Sequence, residues 1–331
     1  MRMSKIAAVL IITVLVAACA GGGDGGGAQC SSSSDCAKGQ TCVSGTCKSS
    51  STGGKTGGST STTAGGAEIK VSAPESVFAE KGAESDFSMT ITAGNKELRQ
   101  PVLIISNFGP YLSSSKCEGT NTLNTIAPED TKEVECDIKV AEAPSSDREQ
   151  EIEYELDWTT DLELSLDGIE VMTPEKFDLD KPTQKDQTSD AKTGPVSFAL
   201  TLEDVPAETG GRIPAKITIG TTSSSKSGVR CTEVSGACSH HIEELRIKIP
   251  SGFQVTGLSG YSQTRCGEGY ACYSKTKVKL TDGKYEEEFS LTLQKFASSV
   301  NKQTFMFGAY LTGVRLYETS SFNLALEAPE D

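Results

Sequence analysis

Aromatic residues make up only 6% of this chain, with a single tryptophan, and only two histidines stand among its 331 residues. Two adjacent histidines, His240 and His241, leave little material for general-base catalysis, and no G-x-S-x-G nucleophile turn occurs. The sequence therefore reads as a non-enzyme with no cofactor. No long apolar run is present either. The longest, Ile6 to Ala18, has 13 residues, whereas a membrane-crossing helix needs about 20. No window shows a 3.6-residue apolar stripe. Positive charge is scarce: Lys and Arg number 31 against 45 Asp and Glu, for a formal charge of -14. Acidity on that scale repels phosphate backbones and excludes nucleic acid as a partner.

What is present is cysteine. Eleven occur, an odd number. The run Ile6–Ala18 follows Arg2 and Lys5, and small residues follow it, the layout of an export signal. The junction Val16-Ala17-Ala18-Cys19 resembles the lipobox of prokaryotic lipoproteins. That resemblance implies cleavage before Cys19, lipidation of its thiol, and an exported chain held at the extracytoplasmic membrane or cell surface. Two acyl chains anchor stably where one does so only marginally. Removing residues 1–18 takes away Arg2 and Lys5, so the formal charge becomes -16 from -14. Lipidating Cys19 also leaves ten cysteines, an even set for bridges in an oxidising compartment.

Organisation follows composition. Residues 19–29 form a Gly-rich tether, and 30–47 carry Cys30, Cys36, Cys42 and Cys47. This spacing is too open for a zinc knuckle, so no metal is expected. "CSSSSDCAKGQTCVSGTCK" resembles the Dickkopf N-terminal-like cysteine-rich modules of prokaryotic surface proteins. The resemblance implies a two-disulfide knot, with Cys30–Cys42 and Cys36–Cys47 favoured. Residues 48–67 are a Gly/Ser/Thr linker, a flexible coil spanning roughly 25 Å.

Residues 68–173 and 195–331 read as β, with a polar linker at 174–194. From Ile152 to Leu166 every even position is apolar except Thr160, and the odd positions are mostly Glu or Asp. Such alternation makes strands with one buried and one wet face, with Thr159-Thr160 marking a bend between two strands. The expected fold is all-β, with two tandem immunoglobulin-like β-sandwiches. "LIISNFGP" is similar to the N-x-G turn of Ig-like and CARDB-like domains of prokaryotic surface proteins, a resemblance that implies adhesion or assembly.

Pairing Cys117 with Cys136 closes a loop on an apolar strand face. Among Cys231, Cys238, Cys266 and Cys272 three pairings are open, with Cys231–Cys238 and Cys266–Cys272 favoured as short Gly-containing loops. Tyr261, Tyr270 and Tyr273 crowd near these loops at the expected sandwich ends and are the interface candidates. His240 and His241 are read as strand neighbours facing opposite ways, which disfavours a shared metal. "GGKT" at Gly53–Thr56 lies in the linker, with Ser49 where a phosphate loop needs glycine. The acidic positions between Glu151 and Glu163 are read as a solvated face. The implied function is a surface lipoprotein meeting a protein or glycan, the alternative being a carbohydrate or solute binder.

Overall fold

The computed structural model describes residues 66–222, 224–296 and 299–329, with the backbone of three short strands upstream, Gln40–Val43, Thr46–Ser49 and Ser61–Ala64. The chain divides into two compact units, Met1–Lys55 and Thr56–Asp331. In the first, Gln40–Val43 and Thr46–Ser49 form an antiparallel hairpin whose register sets Cys42 opposite Cys47. Cys19, Cys30 and Cys36, the tether and the cysteine pairings expected around them lie outside the described residues, as do the side chains of Cys42 and Cys47, whereas the expected 48–67 linker ends in a strand, Ser61–Ala64, paired with Ala67–Ser72.

The second unit is nearly all β. Its spine is one antiparallel pair, Arg148–Met172 with Lys302–Glu327, laddered from Arg148 opposite Leu326 to Met172 opposite Lys302. At about 3.3 Å per residue such a pair is about 80 Å long. Alternation explains why it forms. Ile152, Tyr154, Leu156, Trp158, Leu162, Leu164 and Leu166 are all buried on one face. The spine is the centre of a ten-stranded sheet. Ile242–Pro250, Ser227–Val229 and Ser76–Phe78 line the free edge of Lys302–Glu327 in turn. Arg99–Ser106 and Ala207–Glu208 line the other side of Arg148–Met172.

Two five-stranded sheets cover this spine. One is built from residues 61–140, and its Phe87 ring meets Phe322 with centroids 5.4 Å apart. The other is built from residues 185–293, and its Phe253 meets Phe305 and Phe307 at 5.0 and 5.3 Å. Each small sheet thus faces its own half of the spine, which makes two sandwiches that share one continuous sheet and one contiguous apolar core.

Three local expectations change. The strand does not break at Thr159-Thr160; it runs unbroken from Arg148 to Met172, and the irregularity next to that dipeptide lies in its partner. Between Thr160 opposite Val314 and Leu162 opposite Leu311 the partner holds one extra residue, a β-bulge. Gly313 takes φ +70° there, and the Glu243 side chain fills the space where a Cβ would stand. The bulge keeps Phe307, Ala309 and Leu311 on the same buried face as Val314 and Leu316, although their parity in sequence changes.

Secondly, the segment 174–194 is not linker throughout. Pro174–Asp180 is a short helix whose N-cap, the Thr173 hydroxyl, accepts from the Lys176 N–H at 3.3 Å. Lys185–Thr193 is the edge strand of the second small sheet. It is polar because an edge strand with one wet face leaves most of its residues in water. Thirdly, the two sandwiches do not divide the sequence in order. The second half of Lys302–Glu327 returns to the first sandwich, where Phe322 meets Phe87. Among the described residues no helix is long and apolar enough to cross a membrane.

Candidate functional site

Among the described residues the disulfides are Cys117–Cys136, Cys231–Cys238 and Cys266–Cys272. The last two do not sit together. The chain leaves the spine after Val229, opposite Leu316, and rejoins it at Ile242, opposite Val314. The hairpin Thr232–Val234/Ala237–His240 between those points therefore emerges at the waist between the sandwiches, not at an end. Cys272 is opposite Lys248, which is opposite Gly308, about 20 Å further along the spine toward the far end of the second sandwich.

The candidate tyrosines do lie along one hairpin, Ser262–Arg265 with Tyr270–Val278, but they do not share a face. Tyr261 and Tyr273 pack against the core. The Tyr261 hydroxyl lies 3.2 Å from that of Tyr285, which accepts from Lys275 Nζ at 3.0 Å and donates to Glu287. Burial pushes both Tyr261 and Tyr285 above the ordinary phenol value, so they stay neutral and serve as a polar seam at the edge of the core. Tyr270 lies under the Lys248 ammonium, 4.2 Å from its ring centroid.

At the waist the solvated acidic face has an exception. Asp157 is only 5% exposed. Its two oxygens accept from Arg230 Nε and Arg315 Nη2, each at 3.1 Å. Arg230 also pairs with Glu155 and stands 4.1 Å over the Tyr317 ring. Burial works to lower the Arg230 pKa, but Asp157 and Glu155 outweigh it and raise it. The network fixes the segment leading into the waist hairpin, because the Arg230 N–H also bonds to the Arg315 carbonyl at 2.8 Å.

Inside the hairpin's base, Cys231, Cys238 and His241 bring their sulfur and nitrogen atoms within 4.8 Å of one another. Each ring nitrogen of His241 is 3.8 Å from Cys238 Sγ, and Nδ1 accepts from the Leu280 N–H at 3.3 Å. Burial first, then His240 and Lys279, lowers the His241 pKa. His240 turns away to the Ser239 hydroxyl at 2.9 Å. The sequence held a signal for this grouping, the C-x2-H spacing of Cys238 and His241.

At the bulge of the spine, an open cleft of about 440 Å³ is lined by Asn95, Lys96, Asp161, Glu163 and Tyr310 among others. Asp161 there pairs with Arg99 and accepts from the Gly313 N–H at 2.9 Å.

Asp137 follows the core bridge Cys117–Cys136 and ties down the loop before Cys117. It accepts from the hydroxyls of Ser114 and Ser115 at 2.9 and 2.7 Å and from the N–H groups of Ser115 and Lys116 at 3.1 and 2.7 Å. Burial acts to raise its pKa. The four donors outweigh it and hold the carboxyl well below the usual carboxylate range. A depressed carboxylate stabilises the fold above its unfolded value of about 3.9, and the gain is lost as pH falls through the folded value. Urea unfolding across a series of acid pH values should therefore show the parent losing stability below about pH 4. Asp137→Asn should be less stable near neutrality and flatter through that range. Parallel curves for the two proteins would remove Asp137 from the acid response.

No family model matches the chain, and no curated protein matches it. Among solved structures it is similar to the C-terminal globular domain of an oligosaccharyltransferase from Pyrococcus abyssi, at 10% identity and a TM-score of 0.22, covering 77% of this chain and 46% of that one. This chain thus spans less than half of that relative. It is also similar to the collagen adhesin of S. aureus, at 10% identity and a TM-score of 0.11, covering 78% and 91%. Neither overlap is close enough to bear on function. The class is defined by the chain's own fold: an all-β protein of two sandwiches on a shared sheet.

Proposed function

We propose that this chain is a non-enzymatic lipoprotein, anchored through Cys19 on the outer side of a membrane, that presents its sandwiches for adhesion or envelope assembly. The observation that carries the reading is the spine. A ladder of paired residues runs through both sandwiches, from Arg148 opposite Leu326 to Met172 opposite Lys302. Two beads on a flexible joint would change their spacing freely. A shared sheet holds every loop at a fixed position along one body, which suits a surface that meets a partner at several points. The three described disulfides fit an oxidising compartment. The Gly/Ser/Thr stretch before Ser61 then acts as a spacer, and the acidity keeps the body off anionic headgroups.

Cross-linking on intact cells tests this. One protein neighbour should be trapped reproducibly, with links mapping to several loops of the same body. Saturable binding of a free glycan, with no protein neighbour, would replace this reading with a carbohydrate-binding one, for which the cleft beside Tyr310 is the place to look.

A further inference from the structure

We propose that Cys231, Cys238 and His241 form a redox-gated metal site, closed as a disulfide and able to take a soft divalent cation such as zinc once the bridge is reduced. The inference concerns the waist hairpin alone and does not depend on how the chain is anchored.

Access comes first. In Cys117–Cys136 both residues are buried, and in Cys266–Cys272 one is. Cys231 and Cys238 are both partly exposed. Exchange with an external thiol is governed by access to the sulfur under attack, so this bridge should open first. Opening it costs the fold little, because Thr232–Val234 and Ala237–His240 pair only with each other, in a two-stranded sheet of their own.

Donor geometry comes second. Zinc bonds of about 2.3 Å to sulfur and about 2.0 Å to imidazole set a tetrahedral sulfur–nitrogen edge near 3.6 Å. Cys238 Sγ already stands 3.8 Å from the His241 ring nitrogens, and all three donors fall within 4.8 Å. The Nδ1 lone pair, now turned to the Leu280 N–H at 3.3 Å, is the one a cation would take over. The remaining movements are separation of the two sulfurs to about 3.8 Å, the sulfur–sulfur edge of the same tetrahedron, and a turn of the His241 ring that frees Nδ1 from the Leu280 N–H and aims it between them.

The chemistry balances with a dithiol as reductant. It delivers two electrons and two protons, the Cys231–Cys238 bond breaks to two thiols, and the reductant leaves as its own disulfide. Binding of the cation then displaces the two thiol protons, and a fourth position stays open to water.

The probe is cobalt(II), added without oxygen to the full chain after mild treatment with dithiothreitol and removal of the reductant. Alkylation with peptide mapping should label Cys231 and Cys238 while Cys117 and Cys136 remain bonded. Thiolate-to-cobalt charge-transfer absorption should then rise to one equivalent above that of a Cys231→Ser/Cys238→Ser variant treated alike, which subtracts binding by any other thiol. The untreated protein should show none of this excess. His241→Ala leaves the bridge intact and should bind at least about tenfold more weakly, since loss of an outer partner alone costs about 10–100-fold. Equal spectra from the parent and the double serine variant, equal affinity in His241→Ala, or alkylation of Cys117 and Cys136 first would each overturn the proposal.

Discussion

Replacing Trp158 with alanine should destabilise the second unit by about 3–5 kcal/mol, the cost of truncating a large buried aromatic. Trp158 is 1% exposed and stands opposite Leu316, next to the bulge where the two sandwiches meet along the spine. A cavity there removes support from both halves at once. For a unit of this size the melting temperature should fall by about 10 °C. The indole N–H is buried and has no hydrogen-bond partner among the described residues, and an unpaired buried donor is itself a cost. Trp158→Phe deletes that donor while keeping a ring, so its loss should stay under about 2 kcal/mol. Calorimetry and urea unfolding followed by far-ultraviolet circular dichroism measure both variants. Because the ladder of Arg148–Met172 with Lys302–Glu327 crosses both sandwiches, parent and variants should each melt in one cooperative transition. Two resolved transitions, with only one shifted by Trp158→Ala, would mean that the shared sheet does not couple the sandwiches.

The coupling was hidden in a sequence whose strands were easy to see. Alternation from Ile152 to Leu166 specifies which face is buried, and every one of those even positions is buried. Alternation does not specify the partner, because a strand with one apolar face fits any sheet edge that offers the matching face. In Lys302–Glu327 the apolar positions change from odd to even numbers across Gly313, and Thr319–Ser321 interrupts them, which disguises one strand as two. The bulge at Gly313 accounts for the first change, and pairing with Glu151–Glu155 carries the strand through the second. Lys185–Thr193 was illegible because an edge strand half in water has the composition of a linker.

The waist site was hidden differently. Asp157 looks like its acidic neighbours, and only Arg230, 73 residues away, and Arg315 set it apart. His241 falls between the strands Ala237–His240 and Ile242–Pro250 rather than within one. The rule that strand neighbours face opposite ways therefore places His240 and His241 apart without revealing that His241 folds back on Cys238.

Removal of the Cys117–Cys136 bridge, both residues to alanine, should cost the unit about 3 kcal/mol from loop closure, with a further cost where the sulfurs filled the core. The bridge spans 19 residues with Cα atoms 5.4 Å apart, and its two cysteines are 1% and 0% exposed. Cys136 is opposite Phe87, whose ring meets Phe322 of the spine. The bridge thus ties the loop before Cys117 to the strand that seats the first small sheet. Alanine is the informative replacement, because serine would add buried hydroxyls to the cost of the missing bond. Asp137 anchors the same loop through Ser114, Ser115 and Lys116, so the two restraints share one segment and should not act independently. The triple variant with Asp137→Asn should then lose a different amount from the sum of its parts, since contacts within one network couple by about 0.5–3 kcal/mol. Urea unfolding of the four proteins gives that coupling directly. Strict additivity, or an unchanged midpoint on losing the bridge, would show that the loop is held by its packing alone.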